Sequence, residues 1–292
     1  WGTSSGSFDW KVSVGGTPTN LSSAIAAFSG LFTNVKSTEF GALGDGVTDD
    51  TTAINAAITA AAGGIVFFPS GTYIVSNITV ATASTTLMGV GPGTSIISGN
   101  SASTSVLNFT NNTADGWKRI ESLRITSSAS YSNLLLLEET QNIYIQNCEF
   151  VGTNVTGSMI QRPDVDSQTN VFIDNCKFTV GSGTASAINN LSDDAESFFS
   201  IKNSFFVIGA TFVGNVIDGP DFNITGCEFD ASLNSGSFNF CLPSSGETTG
   251  KILGNVTNCT FRTAGTTSIV FDLAATVGTS KFYEAGNIFY GF

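Results

Sequence analysis

Histidine is absent from the 292-residue chain, and charge is scarce, with 11 Lys plus Arg against 23 Asp plus Glu. The missing imidazole removes the commonest general base and the commonest metal ligand from any mechanism. A net charge of −12 with so few cations excludes the phosphate-neutralising patches that nucleic-acid binding requires. No run approaches the roughly 18 apolar residues that mark a membrane helix, so no membrane insertion is expected. No basic n-region and apolar h-region follow Trp1, so no signal peptide is read, which is compatible with a processed or trimmed start. Five cysteines is an odd number, with no CxxC spacing, which argues against a disulfide framework and against a metal site. No cofactor is expected.

What the chain does hold is 41% hydrophobic residues, 24 Phe and 32 Gly, with Ser, Thr and Asn in the polar positions. That mixture suits short strands joined by many turns, because exposed helix faces usually carry Lys and Glu. An all-β class follows.

An internal repeat then sets the architecture. IYIQNCEF (143–150), VFIDNCKF (171–178), FSIKNSFF (199–206), FNITGCEF (222–229), GNVTNCTF (254–261) and FYEAGNIF (282–289) share one pattern. Their Asn or Gly falls at Asn147, Asn175, Asn203, Gly226, Asn258 and Gly286, at intervals of 28, 28, 23, 32 and 28 residues. Upstream, RIESLRI (119–125) fits the same frame with Ser122 in the slot. Apolar residues alternate on either side of that slot and two outward positions meet there, so the strand bends at a residue type that tolerates a left-handed backbone. A repeat of this size cannot close its own core but buries one by stacking, which is a single-stranded parallel β-helix. Stacking at about 4.8 Å places Phe150, Phe178, Phe206, Phe229, Phe261 and Phe289 in an internal file. It also makes Cys148, Cys176, Cys227 and Cys259 a buried file broken by Ser204. Starting near residue 65, the chain gives about eight coils.

Residues 47–64 read as an α-helix with Thr48 as N-cap and an apolar face of Ile54, Ala57, Ile58 and Ala61, suited to covering the open end of the solenoid. The pieces FGALGDGVTDD, GGIVFFPSGTY and LMGVGPGTSII occur in order between residues 38 and 100. This block resembles the N-terminal block of the pectate-lyase-like superfamily, which includes polygalacturonases, epimerases and many phage tailspikes. The resemblance implies a right-handed parallel β-helix. In phage members it further implies a homotrimer that recognises or cuts a host surface glycan. Three parts result: an attachment or linker segment (1–36), a capping loop and helix (37–64) and the β-helix (65–292). Within the first part, residues 20–32 read as a short amphipathic helix for attachment to other virion tail proteins. Asp45, Asp49 and Asp50 are expected to order the cap and its loop.

The polygalacturonase triplets NTD, GHG and RIK are missing, as is the acidic and basic set of the calcium-dependent lyases, so the resemblance assigns no reaction. Candidate residues come from the repeat instead. Aligned coils put LLLLEE (134–139), SMIQRPD (158–164), SAINNLSDD (186–194), GNVIDGPD (214–221) and SIVFDL (268–273) in one column. Glycoside hydrolysis needs two carboxylates about 5 to 9.5 Å apart, a separation met by residues one or two coils apart. Asp164, Asp193, Asp194 and Asp218 are therefore the catalytic candidates. Glu138, Arg162, Asn190, Asp221 and Asp272 are the candidates for holding glycan, with Arg162 suited to an anionic sugar.

The expected function is a phage tail appendage, in the virion tail and outside the cell, that attaches to cell-surface polysaccharide. The alternatives are a depolymerase using a carboxylate pair and a secreted pectate-lyase-like enzyme. The apolar final strand pattern NIFYGF, with no capping helix and no polar last coil, implies that more chain follows or that a neighbouring subunit covers the end, and the second suits the expected homotrimer.

Overall fold

The computed structural model describes residues 11–14, 17–20, 32–101, 103–110, 116–138, 142–163, 170–181, 183–190, 198–219, 222–234, 239–242, 253–263 and 281–291. Its architecture is a parallel β-helix with three long sheets. Sheet I holds ten strands from Phe32–Asn34 to Lys281–Ala285, and sheet II holds ten from Asp45–Asp49 to Ile288–Tyr290. Sheet III holds seven, from Ile78–Val80 to Asn239–Leu242. One coil shows the plan: Asn142–Gln146 in sheet I, a bend at Asn147, Glu149–Val151 in sheet II and Ser158–Arg162 in sheet III. Each strand pairs in parallel with its equivalent one coil away, as in Ile143↔Val171, Phe150↔Phe178 and Ile160↔Ile188. A separate antiparallel pair joins Lys11–Val14 to Thr17–Asn20.

The bend between sheets I and II is built as the repeat predicts. Ser122, Asn147, Asn175, Asn203 and Asn258 have φ between 49° and 58°, and Gly226 and Gly286 have 65° and 67°. Side chains at the bend also reach along the stack: Asn147 Nδ2 donates to Ser122 Oγ at 3.0 Å and Asn203 Nδ2 to Asp174 Oδ1 at 3.0 Å. Just inside the bend, the six phenylalanines stack face to face with centroids 5.1, 4.6, 4.7, 4.9 and 5.2 Å apart. Cys148, Cys176, Cys227 and Cys259 are buried free thiols, and Ser204 in the gap accepts the Cys176 amide through Oγ at 3.2 Å.

Two expectations need correction. Among the described residues, seven coils carry all three strands, fewer than the expected eight. The strand following Asn215–Asp218 in sheet III is Asn239–Leu242, whereas 268–273 lies outside the described residues. The helix is also shorter than read. Helix α1 is Thr51–Ala61, and Asp45–Asp49 is instead a strand paired with Gly71–Val75. Thr48 does not cap the helix because its hydroxyl and amide both donate to Asp45, at 2.9 and 2.8 Å. Asp50 precedes the helix but turns its carboxylate to the Leu43 and Gly44 amides at 2.7 and 3.0 Å. The three aspartates thus order this loop. Ile54, Ala57 and Ile58 are buried, and α1 packs on Phe32–Asn34, Ile65–Phe68 and Ile78–Val80. Phe32–Asn34 pairs with Ile65–Phe68, so sheet I begins well before residue 65.

Candidate functional site

Sheet III is where the coils differ most in chemistry. Its first strands are apolar: Ile78 and Val80 are buried while Thr79 between them is exposed, which sets inward and outward positions. Register carries the outward position along the stack from Thr79 through Asn108, Leu136, Gln161 and Asn189 to Asp218. One residue further along each strand is an inward position, held by Val80, Phe109 and Leu137, all fully buried. In the next two coils that inward position holds Arg162 and Asn190.

The expected column therefore mixes two faces. Asp218 stands opposite Asn189 and Gln161, not opposite Asn190 and Arg162. A slip of one residue in a strand turns a side chain to the other face. Arg162 is 0% exposed and Asn190 2% exposed, and Arg162 Nη1 donates to Asn190 Oδ1 at 3.2 Å. Arg162 is thus a buried internal cation, inaccessible to the anionic sugar assigned to it. The outward residues Asn108, Gln161 and Asn189 went unnamed in the sequence reading. Their signal was present in strict alternation, as the position just before the strand exit in SVLNF, SMIQR and SAINN.

Glu138 follows its strand directly. Its amide donates to Phe109 O at 2.8 Å, and its carboxylate accepts Asn108 Nδ2 at 2.9 Å. Asp218 is half-buried, and burial pushes its carboxyl above the ordinary value. Asn215 Nδ2, donating to Asp218 Oδ2 at 3.1 Å, offsets part of that shift. Gly219, at φ 129°, lets the chain leave directly after Asp218, because a Cβ there would collide with the carbonyl of Asn190. Asn108 Oδ1 and Asn189 Oδ1 are buried acceptors with no hydrogen-bond partner among the described residues. Asp164, Asp193, Asp194, Asp221 and Asp272 lie outside the described residues. The structure therefore brings Glu138 beside Asn108, and Asp218 into register with Asn189. Chemically this is a file of carboxamides along the shaft with one carboxyl group whose proton is held more tightly than usual.

Residues 32–229 fit the family described as Rhamnogalacturonase A/epimerase, pectate lyase-like. Mannuronan C5-epimerase AlgE5 of Azotobacter vinelandii is 63% identical over 46 residues, a stretch covering 15% of this chain and 4% of that protein. The chain thus corresponds to a small fraction of that relative's length. Among solved structures, the N-terminal fragment of gene product 12 of bacteriophage phi29 superposes with a TM-score of 0.57 at 18% identity, covering 87% of this chain and 46% of that one. Tailspike protein 2 of the Escherichia coli O157:H7 bacteriophage CAB120 gives 0.50 at 12% identity, covering 88% and 38%. At these identities the likeness is one of fold. Among the described residues no helix is long and apolar enough to cross a membrane.

Proposed function

The chain belongs to the rhamnogalacturonase A/epimerase, pectate lyase-like family, and on that premise we propose that it binds polysaccharide along the outer face of sheet III, as a phage tail appendage outside the cell. The observation that carries the reading is the in-register row of Gln161, Asn189 and Asp218 on sheet III, with Asn108 beyond Leu136 in the same register. Carboxamides both donate and accept, so a column of them suits the vicinal hydroxyls of a sugar chain laid along the shaft. The two phage proteins named above share the fold, and the tailspike among them motivates the placement in a tail. In this reading the protein is a homotrimer, the part of residues 1–36 that precedes the sheet I strand Phe32–Asn34 joins it to other tail proteins, and α1 covers the first coil.

Incubation of the purified protein with a panel of bacterial surface polysaccharides and mannuronan tests this. Retention of at least one polymer, with its chain length unchanged after hours, is the expected result, and binding to none overturns the reading. Light scattering is expected to give three times the chain mass; a stable monomer removes the appendage role.

Asp218 favours a second reading as a depolymerase, since a carboxyl with a raised pKa can serve as general acid. In that case the bound polymer is shortened and Asp218→Asn abolishes the shortening.

A further inference from the structure

The outer face of sheet I carries a second feature that neither the family nor sheet III accounts for. Between coils three and six of the solenoid aromatic rings are interleaved with polar and charged side chains. One outward row reads Trp117, Asn142, Asn170 and Phe198 in register. The next row on the same face reads Arg119, Tyr144, Phe172 and Ser200. A third, Glu121, Gln146, Asp174 and Lys202, borders them toward the Asn bend.

The side chains form one patch. Trp117 is 47% exposed and its ring lies 5.5 Å from that of Phe172, which lies 6.4 Å from Phe198. The Arg119 guanidinium sits 5.2 Å from the centroid of Tyr144. Asn170 Nδ2 donates to Asn142 Oδ1 at 3.1 Å, which uses one group of each amide and leaves the pair presenting a donor and an acceptor between the two flanking rings. Within these four strands the three rows hold no Leu, Ile, Val or Met; the aliphatic residues of the same face, Met88 and Ile65, lie in the coils before. A surface built to bury another protein draws on aliphatic as well as aromatic side chains. A surface of bare ring faces interleaved with amides and paired charges suits a ligand with weakly polarised C–H faces and a rim of hydroxyls.

We infer that this face is a second carbohydrate-binding surface, on which pyranose rings stack on Trp117 and Phe198 while Asn142, Asn170 and Arg119 take the hydroxyls. Ring faces carry negative charge density and attract the polarised C–H groups of a sugar. Bridged by Phe172 at 5.5 and 6.4 Å, the Trp117 and Phe198 rings lie at most about 12 Å apart, room for a short run of sugar units. The net charge of −12 repels polyanions, and the cations of this face are few, so the ligand is a neutral or sparsely charged glycan. The inference rests on the polysaccharide reading above for the class of ligand, but on different residues from a different sheet.

The test uses the full chain with a dextran, a β-glucan, a galactomannan, polymannuronate and polygalacturonate as probes. Binding of at least one neutral polymer is expected, weakened at least fivefold by Trp117→Ala or Phe198→Ala and at least tenfold by the pair. Tyr144→Phe, which keeps the ring, is expected to bind as the parent does. Equal thermal unfolding of parent and variants separates lost contact from lost fold. Unchanged affinity in the double variant, with affinity lost in Gln161→Ala plus Asn189→Ala, overturns this inference and leaves sheet III as the site. Binding to none of the probes overturns this inference, and failure on the bacterial panel as well overturns the polysaccharide reading. Dissociation of an oligomer by Trp117→Ala with binding intact makes the face a contact between copies, and the inference falls.

Discussion

The two corners of the coil follow opposite rules. Between sheets I and II every described coil from Ser122 onward solves the same problem in the same way, with a left-handed Asn, Ser or Gly outside and, from Phe150 onward, a phenylalanine inside. At the exit of sheet III the inward residue changes from Val80 to Phe109, Leu137, Arg162 and Asn190, and the outward one from Thr79 to Asp218. Repetition encodes the fold, because stacked coils need like residues above one another to bury a continuous core. In the proposed function, departure from repetition marks the surface where a ligand is met. The buried Arg162–Asn190 pair shows that departures also occur inside.

The contrast is sharpest under mutation. Phe206 is stacked on both sides, at 4.6 and 4.7 Å. Phe206→Ala is expected to lower stability by about 3–5 kcal/mol in denaturant unfolding. A loss below 1 kcal/mol would show that the file contributes little to cohesion. Next in size is the bend itself: Asn175, at φ 52°, holds a conformation that costs a Cβ-bearing residue without a local polar side chain about 1–2 kcal/mol. Asn175→Ala is expected to cost about that amount, and Asn175→Gly much less.

The other corner should answer with smaller, pH-dependent effects. Burial raises the Asp218 carboxyl in the folded state, so the folded chain holds that proton more tightly than the unfolded one. The stability this provides is complete below about pH 3.9 and is lost as pH rises through the folded value. At neutral pH Asp218→Asn is therefore expected to raise the unfolding midpoint slightly, with the gain vanishing in acid. Lys118 is the basic counterpart. It points inward beside Phe109, donating to the carbonyls of Val80 (3.2 Å) and Thr110, and burial pushes its pKa down to about 8. The unfolded chain, with a lysine pKa of about 10.4, binds more protons between these values, so stability rises with pH across that window. Lys118→Met should remove the rise; an unchanged alkaline profile would show that the two carbonyls hold the charged form without penalty.

The same contrast explains what the sequence made legible. The bend and the Phe file could be read because Asn or Gly and Phe recur at a nearly fixed interval, and backbone strain restricts the slot to few residue types. Four strands of sheet III coincide with the expected column, Asn239–Leu242 does not, and the column is one position out at Arg162 and Asn190, which look like surface residues while nothing local announces that they face inward. Lys118 is likewise a cation buried at a position that Ile143 and Val171 fill in the coils above. Helix α1 lost its first turn to Asp45, whose side chain draws Thr48 away from capping.

The account stands on the outward row of sheet III, and titration of a retained polysaccharide against Gln161→Ala plus Asn189→Ala tests it most directly. At least a tenfold loss of affinity is predicted, with folding unchanged and with Arg162→Met binding as the parent does. Full affinity in the double variant, or loss confined to Arg162→Met, would contradict it.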